Sequence, residues 1–264
     1  MSFSSSLFDA EPIINDDGMA NTAEPPGCKR GLDLSARGPG EYEYGAAADP
    51  FPAEWLVPRH EWQARIQEME ERKSRLSDIC TLANLPYQDQ NGLNYCWIAS
   101  PAYALRVMRC LQNQPDIALS HASGGAQIKN FRNVGGWGKE ALEWIASKGL
   151  NADSDWPANS LNKKYLTAEN KAKALLNRVV EWNELAPRNI DQAVSVLFRR
   201  MPLPAGFNWW SHEVTLIDPV WLDGDIAFRF RNQWQGYGVN GYGIIQGSRM
   251  RFDDGVTPRT AYAS

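Results

Sequence analysis

Gln90-Asn91-Gly92-Leu93-Asn94-Tyr95-Cys96-Trp97, read QNGLNYCW, is the stretch on which the fold turns. It sets a glutamine six residues ahead of a cysteine and a tryptophan directly behind it. From Tyr95 to Gln112 the residues Ile98, Ala102, Leu105, Met108 and Leu111 fall on one face of a helix. Asn94 suits the N-cap. Cys96 then lies in the first turn, where free backbone N–H groups and the helix dipole favour an anion such as a thiolate. Pro101 sits five residues further on, and an interior proline costs about 3 kcal/mol and predicts a kink.

Working outward, residues 1–57 read as an extended arm. They are rich in Gly, Pro, Ala, Asp and Glu, carry breakers at Pro25-Pro26-Gly27 and Gly38-Pro39-Gly40, and hold little that builds a core. Residues 58–84 form a charged lead-in. A helix is expected from about Arg59 to Leu76, with Trp62, Ile66 and Met69 on a narrow apolar stripe. Further helices are expected at Lys139 to Lys148, ended by Gly149, at Thr167 to Leu176, and at Ile190 to Arg200. After Met201 the pattern alternates, in EVTLID and in IAFRFRNQW, with turns at the GYG repeats. A helical half followed by a strand-rich half indicates an α+β protein. Its main domain spans 85–264, with a helical lobe over 85–185 and a sheet lobe over 186–264.

Composition narrows the function. The chain has 264 residues, 43% hydrophobic and 22% charged, with a net charge of −4. An acidic chain of this kind is not expected to bind nucleic acid. No apolar run is long enough to span a bilayer, so no membrane partner is expected. The start, MSFSSSLFDAEPIINDDGMA, lacks the basic and apolar regions of a secretory signal. Met1 at the head of the chain leads to the expectation that no pro-segment has been removed. Cys28, Cys80, Cys96 and Cys110 show no CxxC or Cys–His spacing suited to zinc, so no metal and no cofactor are expected. Four free thiols suit a reducing, cytoplasmic location.

Three histidines are available to a cysteine nucleophile: His60, His121 and His212. His60 lies on the edge of the charged helix and His121 in a polar loop, so both are read as structural or surface residues. His212 opens the alternating strand SHEVTLID, and Asn232 follows the next alternating strand twenty residues on. The chemistry gives such a set a purpose. A free thiol has a pKa of about 8.5, and a helix N-terminus with a neighbouring imidazolium lowers it to about 3.5–7.5. An amide holds the imidazole in one orientation. A glutamine side-chain N–H and the cysteine backbone N–H can stabilise an oxyanion.

Four motifs in one collinear order resemble the papain family of cysteine peptidases. QNGLNYCW is similar to the family's Gln-Gly-x-Cys-Gly-Ser-Cys-Trp, with the offset of six kept. Val134 to Pro157, VGGWGKEALEWIASKGLNADSDWP, resembles its Gly-Gly loop, following helix and acidic-aromatic-proline turn. SHEVTLID resembles the strand begun by the family histidine. Arg231 to Ile245, RNQWQGYGVNGYGII, resembles its Asn-Ser-Trp-Gly segment. Together they cover about residues 85–250. The resemblance implies a papain-like two-lobe fold, with Cys96 as nucleophile and His212 as general base and then acid. Asn232 would orient His212, Trp234 would shield that contact, and Gln90 would line the oxyanion hole. Trp97 follows the nucleophile as it does in the family. Gly135 and Gly136 would take a substrate backbone, and Trp137 would line the pocket for the second residue before the cleaved bond. Glu213, near that pocket, would favour a basic or polar side chain there; a solvated strand glutamate is the other reading.

Departures from the family are specific. Leu93 and Arg132-Asn133 stand where half-cystines are expected, and Tyr237 replaces a tryptophan. Phe207 to Trp210, FNWW, replaces a longer stretch of cleft wall, so the cleft is expected to be wider or partly filled by indole. The propeptide helix motif is missing. Three readings follow. One is a cysteine endopeptidase acting on a peptide or protein. The second is a papain-like subunit of a large assembly such as a virion, docking on protein partners through the arm. The third is another cysteine–histidine amidase. An arm lying across the Cys96 cleft would mark a zymogen, and one wrapped on neighbouring chains an assembly subunit.

Overall fold

The structure, a computed structural model, describes residues 10–18, 20–35 and 43–263. The breaker Gly38-Pro39-Gly40 therefore lies outside the described residues. The charged segment forms not one helix but two, α1 (Trp62–Glu71) and α2 (Leu76–Leu82). Lys73 turns into the left-handed region at φ 48°, and a new start follows. Asp78 accepts from the Arg75 backbone N–H at 3.2 Å and from its Nε at 3.0 Å, which satisfies a free first-turn donor.

α3 runs from Cys96 to Leu111 and continues through Pro101 without a break. Its cap is Tyr95, not Asn94. The Asn94 amide is drawn away to Asn133, donating to its carbonyl at 3.1 Å. Every residue from Cys96 to Arg109 is buried, so the one-faced pattern understates its surroundings. The second face packs on the sheet lobe, where Ser100 and Thr215 hydroxyls meet at 2.9 Å. α4 (His121–Ile128) is a helix where a polar loop was expected. Ser120 caps it, accepting from Ser123 N–H at 3.1 Å. Its glycines permit close packing: a Cβ at Gly124 would lie 2.7 Å from Ile98, and one at Gly125 2.6 Å from the Tyr95 ring.

α5 (Gly138–Lys148) ends at Gly149, whose φ of 73° suits glycine. α6 (Ala168–Ala174) and α7 (Ile190–Phe198) are capped by the Thr167 and Asn189 side chains. The described strands are β1 (Ile13–Ile14), β2 (Val179–Glu184), β3 (Leu203–Phe207), β4 (His212–Leu222), β5 (Asp225–Arg231), β6 (Tyr242–Gln246) and β7 (Asp254–Ala261). Their order is β1-β6-β5-β4-β3-β7-β2, antiparallel except for the β1–β6 pair.

Two cores flank the cleft. Phe207, Trp210, Phe228 and Phe230 form the sheet-lobe core, joined by Ile14, Trp62 and Ile66 from the start of the chain. Trp97, Ile98, Leu142 and Ile145 form the helical-lobe core, joined by Val256 and Ala261 of β7. Each end of the chain thus packs on the lobe built mainly by the other end. The arm is not a bystander, contrary to its composition. Ile14 is fully buried, and β1 adds a strand to β6. The Trp210 and Trp182 indole N–H groups donate to Thr22 and Ala46 carbonyls, each at 3.1 Å. These contacts use arm backbone, which a count of apolar side chains does not register.

Candidate active site

Three elements converge on the cleft. Cys96 is the first residue of α3 and is fully buried. His212 opens β4 after Ser211, whose φ is 53°. Asn232 follows β5, and its Oδ1 lies 2.9 Å from His212 Nε2. The same oxygen accepts the Gln233 backbone N–H at 2.8 Å, so the imidazole proton sits on Nε2 and donates. Trp234 stacks on the ring, with centroids 4.2 Å apart and planes at 23°. Trp210 meets it edge-on at 4.9 Å and also packs on Trp234. The indole-rich wall expected from FNWW is therefore folded against the histidine. His212 Nδ1, left with its lone pair, is buried and has no hydrogen-bond partner, Cys96 included.

Electrostatics place both groups in their neutral forms. Burial pushes the Cys96 thiol up to about 12, and the Glu213 carboxyl adds to the rise. Backbone N–H groups of Glu213, Gly31 and Trp97 face the sulfur and oppose the shift. Burial pushes His212 down to about 3, against the bond to Asn232, and the Arg30 charge lowers it further. A thiol and a neutral imidazole thus face a filled cleft.

The filling is the arm. Gln90 Nε2 donates to the Lys29 carbonyl at 2.6 Å and to the Leu93 carbonyl at 2.6 Å. Trp234 Nε1 donates to the same Lys29 oxygen at 2.9 Å. Gly136 N–H donates to the Gly31 carbonyl at 2.9 Å, and Asp33 N–H returns to the Gly136 carbonyl at 2.9 Å. Leu32 is thereby bridged to Gly136 in the parallel sense. Glycines make this approach feasible. A Cβ at Gly135 would lie 2.7 Å from the Gly31 carbonyl oxygen, and one at Gly136 2.5 Å from the Trp97 ring. Trp97 is itself anchored, donating to the Asn94 carbonyl at 3.0 Å. Trp137 is buried at the start of α5.

Glu213 is wholly buried, so the solvated-glutamate reading fails. His121 is likewise buried, and it lies on α4 and not in a loop, which leaves the structural one of its two expected roles. Gln88 Nε2 donates to its Nδ1 at 3.3 Å, and its Nε2 donates to the Gln90 carbonyl at 3.2 Å. Burial pushes it down to about 4. It braces the loop that carries Gln90. His60 is exposed in a 3-10 turn. Sequence reasoning missed Lys29, Gly31, Leu32 and Asp254, which carry no motif. Cys28, Cys80, Cys96 and Cys110 are free thiols. Among the described residues no acidic, cysteine or histidine cluster could hold a metal ion, and no helix is long and apolar enough to cross a membrane.

This is the fold of the papain-like cysteine proteases. Digestive procathepsin L2 of Tenebrio molitor larval midgut superposes with a TM-score of 0.60, covering 88% of this chain and 78% of that one at 13% identity. Procathepsin B S9 from Trypanosoma congolense gives 0.58, over 88% of this chain and 87% of that one at 14% identity. Digestive procathepsin L 3 of Tenebrio molitor gives 0.55 at 16% identity, with 66% of each chain covered. No protein-family model and no curated protein sequence matches the chain. Identities this low establish shared architecture only.

Proposed function

We propose that the chain is a cysteine endopeptidase held latent by its own residues 29–33. The observation that carries this reading is the His212–Asn232 pair, fixed under Trp234, with Nδ1 free in the cleft that also buries Cys96. Once the arm leaves, water and substrate replace it and the burial that raises the thiol and lowers the imidazole is relieved. His212 Nδ1 then takes the Cys96 proton, and the thiolate attacks a peptide carbonyl. Gln90 Nε2, released from Lys29, and the Cys96 backbone N–H hold the oxyanion. The imidazolium gives its proton to the leaving amine, and the acyl-enzyme is hydrolysed by a water that the neutral imidazole activates.

The direction of the arm supports latency. By the resemblance to the papain family, a substrate would set the residues before the cleaved bond at Gly136 and Trp137 and run from there past Cys96 toward the Trp234 side. The arm runs the other way, with Lys29 at Trp234 and the later Leu32 at Gly136. Such a strand occupies the cleft without presenting a bond in the productive sense. An arm lying in the cleft favours this reading over an assembly subunit that projects its arm onto neighbours.

The test is labelling of the reduced chain with an epoxysuccinyl probe, followed by mass mapping. Label on Cys96, lost in Cys96→Ala and slowed in His212→Ala, supports the reading. A chain that ignores the probe and cleaves no peptide, even with the arm displaced, contradicts it.

A further inference from the structure

A second cavity, of about 320 Å³ and lined by neither Cys96 nor His212, lies between the end of α2 and the β5–β6 hairpin. Thr81 and Asn84 stand on its exposed rim, Leu85, Pro86 and Tyr87 form one wall, and Tyr242 of β6 forms another. The volume suits a small molecule. Among the described residues no carboxylate lines this cavity, and Arg231 at the end of β5 is its one cation.

Arg231 is only 4% exposed. Its Nη1 donates to the Tyr103 and Tyr242 hydroxyls at 3.0 and 2.9 Å, and the Tyr242 ring lies 4.3 Å from the guanidinium carbon. These partners are neutral, so they solvate the charge without cancelling it. The other edge of the guanidinium is nearly empty. Nε has no hydrogen-bond partner, and Nη2 has only the Leu85 carbonyl at 3.5 Å. Elsewhere in the chain that same edge holds a carboxylate. Arg59 gives Nε and Nη2 to the two Asp191 oxygens at 2.7 and 2.8 Å, and Arg106 gives them to Asp116 at 2.8 and 2.7 Å. A buried guanidinium without a counter-charge carries a desolvation cost that a bidentate anion offsets.

We propose that this cavity binds a small organic carboxylate, whose two oxygens take Nε and Nη2 of Arg231 in place of the Leu85 carbonyl and whose apolar body lies on Leu85, Pro86 and the tyrosine rings. The planar fork matches a carboxylate in shape. A phosphate dianion is disfavoured, because the cavity offers it no second cation. The site is separate from the cleft and independent of the peptidase reading, yet the two are joined through the backbone. Arg231 directly precedes Asn232, and the Gln233 side-chain amide donates to the Arg231 carbonyl at 3.2 Å. An anion that fixes Arg231 therefore steadies the segment that orients His212.

The experiment is calorimetric titration of the full chain at pH 7 and fixed ionic strength, with benzoate as the probe and benzamide as its neutral isostere. Benzoate is expected to bind at least about tenfold more tightly than benzamide, and its Kd is expected to rise by at least that factor in Arg231→Gln. Thr81→Glu leaves Arg231 and its packing in place and brings a competing carboxylate to the exposed rim. It should weaken benzoate about tenfold, whereas Thr81→Gln should change it less than about threefold. If Arg231→Gln loses the circular dichroism of the parent, the Thr81 pair decides alone. The proposal is overturned if benzoate shows no binding at about 10 mM, if benzamide binds as well, or if Thr81→Glu and Thr81→Gln bind benzoate alike.

Discussion

Replacing Gly31 by alanine should unlatch the arm without touching a proposed catalytic group. The added Cβ would lie 2.0 Å from the Asn94 carbonyl oxygen and 2.3 Å from its carbonyl carbon. That is about 1.5 Å inside the 3.5–4.0 Å of ordinary contact. Asn94 cannot retreat easily, because Asn133 holds both its backbone N–H, at 2.7 Å, and its side chain. Overpacking of this kind costs about 1–3 kcal/mol. It falls on the docked state alone, so the undocked population rises about 5- to 150-fold. If docking and undocking are fast relative to the reagent, Cys96 alkylation rises by the same factor. The assay is alkylation with iodoacetamide at pH 8, mapped by mass to each cysteine, with half-buried Cys110 as internal reference. A Cys96 rate within twofold of the parent, with Cys110 unchanged, would refute the claim that the arm controls access to the thiol.

Asp254 predicts a pH dependence of stability. Burial raises its carboxyl from 3.8 to about 6, so between those pH values the folded chain keeps a proton the unfolded chain has lost. The stability this confers is full below about pH 4 and is lost as pH rises through 6, roughly 3 kcal/mol in all. Urea unfolding from pH 4 to 7 should show that fall in the parent relative to Asp254→Asn; parallel curves would exclude it. Gly136→Ala places a Cβ 2.5 Å from the Trp97 ring and should lower stability by about 1–3 kcal/mol in urea unfolding. Asn232→Ala removes the acceptor that raises the His212 pKa, so turnover of the unlatched chain should drop at least about tenfold. Unaltered turnover would remove Asn232 from the mechanism.

Much of this architecture was legible because local chemistry and tertiary structure agree. Gly149 ends α5, and Thr167 and Asn189 cap the helices that follow them, as their side chains suit. Alternation placed His212 at the head of one strand and Asn232 just beyond the next, and pairing of β4 with β5 brings them within 2.9 Å. Elsewhere tertiary contacts overrode local preference. Asn94 has a good capping side chain, but Asn133 competes for it. Glycine lowers helix propensity, yet Gly124 and Gly125 are what lets α4 approach Ile98 and Tyr95. The docking of Lys29 to Asp33 is carried by backbone carbonyls and amides, which every residue type supplies. Asp254 joins Glu213 only through the β4–β3–β7 register, forty-one positions apart in the chain, and no spacing rule marks such a pair.

Hydrolysis of an unstructured protein such as reduced casein by the Gly31→Ala chain, under reductant, reads the proposed reaction itself. Multiple turnovers are expected from Gly31→Ala, little from the parent, and none from Gly31→Ala with Cys96→Ala. An unlatched chain whose Cys96 alkylates freely but which cleaves nothing would contradict it, leaving a protease-like scaffold without the reaction.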